Sequence, residues 1–289
     1  MRLSPMLGLL LLCTPLNASA APAQSAGTAA VSAARPEVAV GVLSRAPGGA
    51  YAEVHGLRMF YEVRGSGPQV LLLHGGGGMI NEEWMDFLAT KFEVVAVEQM
   101  GHGRTNDIAE RPLRYHDMAE DTVAFLHAVG ISKTSIVGFS DGGILALDLA
   151  IHHPEVVEKL VVTGANFSLA GYSSQGIAET LRISPETWKV SDDYRRYSPD
   201  GADHWPVFLT RLAKMWNTEP NLTPDEVKRI HAPTLIIAGD HDVVTPEHSV
   251  EMFRLIAGAQ LCIVPNQGHG AMPRETVLAF LAAPANGKP

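Results

Sequence analysis

The chain has 289 residues, long for one domain and well sized for a large α/β unit carrying an insertion. Hydrophobic residues make up 46% and charged residues 18%, which excludes global disorder and supports a sizeable core. The formal net charge is −9 with no basic stripe, so nucleic acid is not an expected partner.

Residues 1–20 read as a secretory signal. Arg2 supplies a positive start, Leu3–Leu16 form an apolar stretch broken by Pro5 and Pro15, and Ala18–Ala20 have the small-x-small form of a cleavage site. A membrane anchor is the alternative, but the run falls short of ~20 residues. A lipoprotein through Cys13 is a second alternative, disfavoured because Leu12 precedes it where a small residue is expected. The chain is therefore expected to be exported, periplasmic or secreted, with no membrane span after signal cleavage. Cleavage leaves Cys262 alone, which excludes an intramolecular disulfide. Cys262 lies in an apolar strand-like run and reads as a small hydrophobe. Residues 21–50, rich in Ala, Pro, Gly and Ser, read as a flexible leader.

From Tyr51 onward strands and helices alternate. "AEVHGLRMFYEVRG" is a hairpin pair or a bent strand, closed by the "GSGP" turn. "QVLLLHG", "FEVVAVEQM", "TSIVGFS", "EKLVVTGAN", "PTLIIAGD" and "AQLCIVPN" are short and nearly continuously apolar, as strands covered on both faces are. Between them "NEEWMDFLATK", with Asn81 as an N-cap, "HDMAEDTVAFLHAVG", "DGGILALDLAIHHP", "EHSVEMFRLIAG" and "RETVLAFLAA" carry helical patterns. This alternation predicts a mostly parallel sheet with helices on both faces. The stretch 167–230 interrupts the rhythm and holds three of the four tryptophans, Trp188, Trp205 and Trp216. It reads either as a lid over a pocket at the strand ends or as a helical subdomain whose aromatics pack only its own core. The lid reading nominates Trp205 and Trp216 for substrate contact.

Gly138–Gly142 read G-x-S-x-G at the junction of a predicted strand and a predicted helix. Glycines there allow a tight turn that pushes Ser140 out of the sheet, while the following helix aims its N-terminal N–H groups at the same place. A serine hydroxyl needs a base, and the base needs an orienting carboxylate. Both follow in chain order. Asp240 and Asp242 end one predicted strand and His269 ends the next. Leu71–Gly78, "LLLHGGGG", supply backbone N–H groups for a developing oxyanion, Gly76 acting together with Asp141. A phosphate loop is excluded because no G-K-[ST] follows. There is no CxxC or HExxH, so no metal is expected; His152 and His153, before Pro154, read as surface histidines at a helix end.

Together "HGGGG", "EQMGHGRT", "GFSDGG", "GDHD" and "GH" resemble the α/β-hydrolase superfamily in order and spacing, from Tyr51 to about Ala283. "GFSDGG", "TGANF" and "GDHDVVTP" are similar to the valacyclovir-hydrolase (biphenyl-hydrolase-like) group and its bacterial esterase relatives. The resemblance implies an α/β-hydrolase fold, with a mostly parallel eight-stranded sheet flanked by helices. Its core would be 51–166 and 231–289, with a small helical lid, 167–230, inserted after strand 6. It places the catalytic acid at Asp242 through the pattern G-x-x-D. It also implies acyl transfer with no cofactor, because family members acting on haloalkanes or epoxides carry aspartate where this chain has Ser140. One departure is visible: Glu98, Met100 and Thr105 replace residues of a D-x-R-G-x-G-x-S loop.

The expected activity is cleavage of small carboxylic esters by Ser140, His269 and Asp242. A C–C bond hydrolase or peptidase on the same triad is the alternative, and a catalytically silent ligand-binding protein of the same fold is a third reading. Asp141 admits two roles for its side chain: a carboxylate favoured by the helix N-terminus, or a partner for a cationic group on the substrate. Acyl specificity and oligomeric state leave no mark in the periodicity.

Overall fold

The hairpin predicted at the start of the domain is β1 (Ala50–Val54) and β2 (Leu57–Gly65), paired antiparallel around a turn at His55 and Gly56. The computed structural model describes residues 41–285; residues 1–20 and most of the expected leader lie outside the described residues. Where the leader is described it is anchored. Gly41 N–H donates to Ala128 O at 2.7 Å, Ser44 N–H donates to the Tyr61 hydroxyl at 3.0 Å, and Arg45 pairs with Glu93 at 2.6 Å. The expected leader boundary at residue 50 is therefore too late, because three polar contacts tie residues 41–45 to the sheet and to a helix end.

The apolar runs form β3 (Gln69–Leu73), β4 (Glu93–Val97), β5 (Thr134–Phe139), β6 (Val157–Thr163), β7 (Thr234–Gly239) and β8 (Gln260–Val264). The sheet order is β1-β2-β4-β3-β5-β6-β7-β8. β1–β2 and β2–β4 are antiparallel; every later pairing is parallel. β7 is buried along its whole length, as its continuous apolar sequence requires. β8, at the edge, is only half covered, and Cys262 is accordingly partly exposed.

Helices cover both faces. α1 (Glu82–Ala89) starts at Asn81, whose side chain accepts the Trp84 N–H at 3.0 Å. It shares one core with α9 (Arg274–Ala282), built from Trp84, Met85, Leu88, Val277 and Phe280 against Val70, Val94 and Val161. The opposite face carries α2 (Tyr115–Ala128), α3 (Asp141–His152) and α8 (Pro246–Leu255), with Phe125, Leu145, Leu149 and Met252 in the second core. α3 is buried from Asp141 to Ile151, which explains why its sequence is apolar on all sides rather than amphipathic.

The insertion after β6 contains α4 (Ser174–Thr180), α5 (Asp192–Tyr197), α6 (Trp205–Thr218) and α7 (Pro224–Val227). Its aromatics pack on one another and join the core that carries α2 and α3. Trp205 is 2% exposed, its ring packs on Tyr194 and Phe208 at 4.9 and 5.9 Å between centroids, and its Nε1–H donates to Trp188 O. Arg211 of α6 and His204 both pair with buried Asp107, the latter at 2.7 Å, fixing the insertion to the loop after β4. Among the described residues no helix is long and apolar enough to cross a membrane.

Candidate active site

The strand–turn–helix expected around Ser140 is present, and its backbone is unusual. Ser140 has φ 53° and ψ −118°, a region a side chain occupies only when its surroundings force it. Two glycines make this turn possible. A Cβ on Gly138 would sit 2.2 Å from Gly142 O, and one on Gly142 would sit 2.3 Å from Leu73 O. Ser140 N–H donates to Thr163 O at 2.9 Å, and Ser140 O accepts the N–H groups of Gly143 and Ile144, so α3 begins immediately behind the serine.

β7, β8 and the loops after them deliver the partners. His269 Nε2 lies 2.9 Å from Ser140 Oγ, and His269 Nδ1 lies 2.7 Å from Asp242 Oδ1. The Asp242 side chain is fully buried, and the same oxygen accepts the Val244 N–H at 3.0 Å. Asp240 points elsewhere: its Oδ1 accepts the Gln267 N–H at 3.1 Å, and backbone N–H donors hold its carboxyl below the usual range. The two aspartates, indistinguishable by strand position, are thus separated by geometry. Phe139 braces the His269 ring at 4.9 Å between centroids.

The glycine loop after β3 sits against the first turn of α3. A Cβ on Gly76 would approach Asp141 Oδ2 to 2.1 Å and the Trp216 ring to 2.5 Å. Among the described residues, neither the Gly76 N–H nor the Asp141 N–H donates to a backbone acceptor. Two buried histidines shape this loop. His74 Nε2 accepts the Gln99 N–H at 3.1 Å, which leaves its proton on Nδ1, directed at Gly75 O. His102 Nε2 accepts the Gly77 N–H at 3.0 Å, with Nδ1–H donating to Met100 O. Burial holds both neutral, pushing His74 down to about 4 and His102 to about 3. The departure noted at Glu98, Met100 and Thr105 belongs to this support. Glu98 is completely buried and accepts from Arg104 Nη1 at 2.6 Å, while Thr105 Oγ1 donates to Glu98 O and accepts the Phe60 N–H.

Asp141 is 5% exposed, and its carboxylate is held from within the protein. Tyr115 donates its hydroxyl to Oδ1 at 2.9 Å, and Trp216 Nε1–H reaches Oδ1 and Oδ2 at 3.0 and 2.9 Å. Burial raises its pKa to about 6 against the lowering pull of those two donors. Trp188 stacks on Trp216 with planes 16° apart, and its ring also faces Gly77. Of the two tryptophans nominated from sequence, Trp216 stands beside the glycine loop. Trp205 lies inside the insertion, because its large ring and N–H are both satisfied there. Tyr115, His74 and His102 carried no signal for these contacts beyond their neighbourhood of "HGGGG" and "EQMGHG".

Residues 70–283 match the alpha/beta hydrolase family. The chain belongs to that family. Human serine hydrolase BPHL is 27% identical over 237 residues, covering 75% of this chain and 78% of the relative. The 2-hydroxy-6-oxo-6-(2'-aminophenyl)hexa-2,4-dienoic acid hydrolase of Metapseudomonas resinovorans is 27% identical over 255 residues, covering 77% and 84%. Among solved structures, a serine hydrolase involved in carbazole degradation superposes with a TM-score of 0.66 at 25% identity, over 81% of this chain and 98% of that one. The family and this neighbour bear out the eight-stranded, mostly parallel α/β-hydrolase fold expected from the sequence, and the family supports hydrolase activity.

Proposed function

We propose that the protein cleaves small carboxylic esters through an acyl-enzyme formed on Ser140. The observation that carries this reading is the continuous relay from Ser140 Oγ through His269 to Asp242, at 2.9 and 2.7 Å, on a strained elbow. Ser140 Oγ attacks the ester carbonyl while His269 Nε2 takes its proton. Asp242 fixes the imidazole with its proton on Nδ1 and stabilises the imidazolium. The carbonyl oxygen, now anionic, is held by the N–H groups of Gly76 and Asp141 at the positive end of α3. Collapse expels the alcohol, which receives the proton from His269. A water, deprotonated by His269, then attacks the acyl carbon, and collapse releases the acid as His269 returns that proton to Ser140 Oγ. Each step uses protein groups and one water, and this reading calls for no cofactor.

The substrate side of the site is formed, in this reading, by Trp216 and the Trp188 ring stacked on it. Trp205 supports them from inside the insertion, which acts as the lid. The Asp141 carboxylate serves to hold the loop, since its two donors come from α2 and α6.

A second reading, C–C bond hydrolysis on the same triad, is favoured by the similarity to the Metapseudomonas dienoic acid hydrolase. A panel of p-nitrophenyl and aminoacyl esters run beside a vinylogous 1,5-diketone acid separates the two. Ester turnover exceeding diketone turnover supports the proposal, and the reverse order replaces it. Stoichiometric labelling by a fluorophosphonate excludes a silent binding protein, for which no activated serine is needed. We further propose export, on the strength of Arg2, the apolar run and the small residues at Ala18–Ala20. Protein sequencing that finds an uncleaved N-terminus in the cytoplasmic fraction would overturn that part.

A further inference from the structure

Far from Ser140 along α3, three side chains converge that hydrolysis does not use. Asp148 and His152 are four residues apart on one face of α3, and His116 comes from the first turn of α2. His116 Nδ1 and His152 Nδ1 lie 3.0 and 3.1 Å from the same oxygen, Asp148 Oδ1, and the three ligand atoms all fall within 4.8 Å of one another. The two rings meet edge-on at 4.7 Å between centroids. The Asp148 side chain is 4% exposed, while those of His116 and His152 are 52% and 30% exposed. The anionic centre is thus buried and its imidazole partners are open to solvent.

We infer that His116, Asp148 and His152 form a binding site for a divalent transition metal, zinc by ligand chemistry, that clamps α2 to α3. Two imidazoles and one carboxylate are a ligand set suited to zinc, and they leave one tetrahedral position open. Zinc with bonds of ~2.0–2.1 Å needs ligand atoms about 3.3–3.4 Å apart. The observed nitrogen–oxygen separations reach that by opening a few tenths of an ångström. The open position has space before it. A cavity of about 370 Å³ is lined by these three residues together with Glu219 and Glu226, and among its charged lining groups three carboxylates face one cation, Arg114. Water or one of those glutamates completes the shell. Ligation at Nδ1 displaces its proton and leaves the His116 proton on Nε2, which faces Glu120 Oε1 at 3.8 Å. His116 is 32 residues from Asp148, and only the packing of α2 on α3 joins them.

The test is thermal unfolding of tag-free, chelator-stripped protein with zinc chloride or magnesium chloride. It is run on the wild type and on a His116→Gln/His152→Gln double variant. At zinc about 100-fold above its Kd, the wild-type Tm is expected to rise by roughly 5–10 °C, with no rise in magnesium. The double variant, changed at two solvent-open rings, should fold as the wild type does without zinc and show no zinc-dependent rise. Absence of a zinc shift in the wild type overturns the inference. An equal shift in the double variant also overturns it, because zinc then acts at other histidines or at Cys262. Asp148→Asn, which keeps one acceptor oxygen, should weaken the zinc response without removing it, whereas an unchanged response contradicts its place as a ligand. None of these outcomes depends on the role of Ser140.

Discussion

Trp216 of α6 donates its indole N–H to both carboxylate oxygens of Asp141, the residue that follows Ser140. The insertion and the Ser140 elbow are therefore joined by a hydrogen bond to a buried carboxylate rather than by apolar packing alone. Trp216→Phe keeps a ring for Trp188 to stack on and removes only the donor. Hydrogen bonds to charged groups contribute about 1.5–3 kcal/mol, so stability should fall by that amount at pH 8. Burial already raises the Asp141 pKa to about 6, so the folded state holds its proton more tightly than the unfolded chain. Stability linked to this group is greatest below the usual carboxylate range and declines as pH rises through about 6. The variant should consequently lose more at pH 8 than at pH 5. Denaturant titrations at the two pH values check this, and equal losses would contradict it.

Asp141 itself is expected to act on all substrates alike. Its donors are supplied by Tyr115 and Trp216, and Gly76 lies against Oδ2. Asp141→Asn should lower kcat/KM for a neutral ester and for an aminoacyl ester of the same size by the same factor. A loss confined to the aminoacyl ester, roughly 10–100-fold for a charged hydrogen bond, would instead assign the carboxylate to recognition of the substrate's ammonium.

The two aspartates of the "GDHD" turn should behave very differently. Asp242→Asn leaves His269 facing an amide that favours the wrong tautomer, and kcat should fall by about 10⁴-fold. Asp240→Asn keeps an acceptor oxygen for the Gln267 N–H and should leave kcat close to wild type. Steady-state kinetics on the two purified variants decides, and the reverse ranking would move the acid by two residues.

This turn shows how far the sequence could be read. Chain order and strand ends place Ser140, His269 and two aspartates past the carboxyl ends of their strands, because apolar runs and glycine turns mark strand ends locally. Residues alone do not separate Asp240 from Asp242, since both follow the same strand; the family pattern points to Asp242, whose Oδ1 lies 2.7 Å from His269 Nδ1. The insertion was visible only as a break in rhythm rich in tryptophan. Which indole faces inward depends on non-local packing: Trp205 packs against Trp188, Tyr194 and Phe208. The His116–Asp148–His152 cluster lay beyond reach for the same reason.

The histidines beneath the glycine loop predict acid sensitivity. His74 and His102 stay neutral down to about 4 and about 3 when folded, whereas unfolded imidazoles take a proton near 6.5. Their contribution is complete above 6.5 and is lost as pH falls from there toward 4, by about 2 kcal/mol per group at pH 5. His102→Gln keeps an acceptor for the Gly77 N–H and removes one of the two groups. Between pH 7 and pH 5 it should lose less stability than the wild type. Denaturation midpoints at the two pH values test this, and an equal or steeper loss would show that His102 does not carry the effect.

The central claim is that Ser140 is the nucleophile, and the kcat of Ser140→Ala on the best ester of the panel tests it most directly. One hydroxyl at the elbow contributes little to the core, so the variant should unfold at the wild-type temperature. Its kcat is expected to fall by roughly 10⁵–10⁶-fold, the scale of triad removals in serine hydrolases. A folded Ser140→Ala protein retaining more than about a tenth of wild-type kcat, far above that scale, would contradict the account.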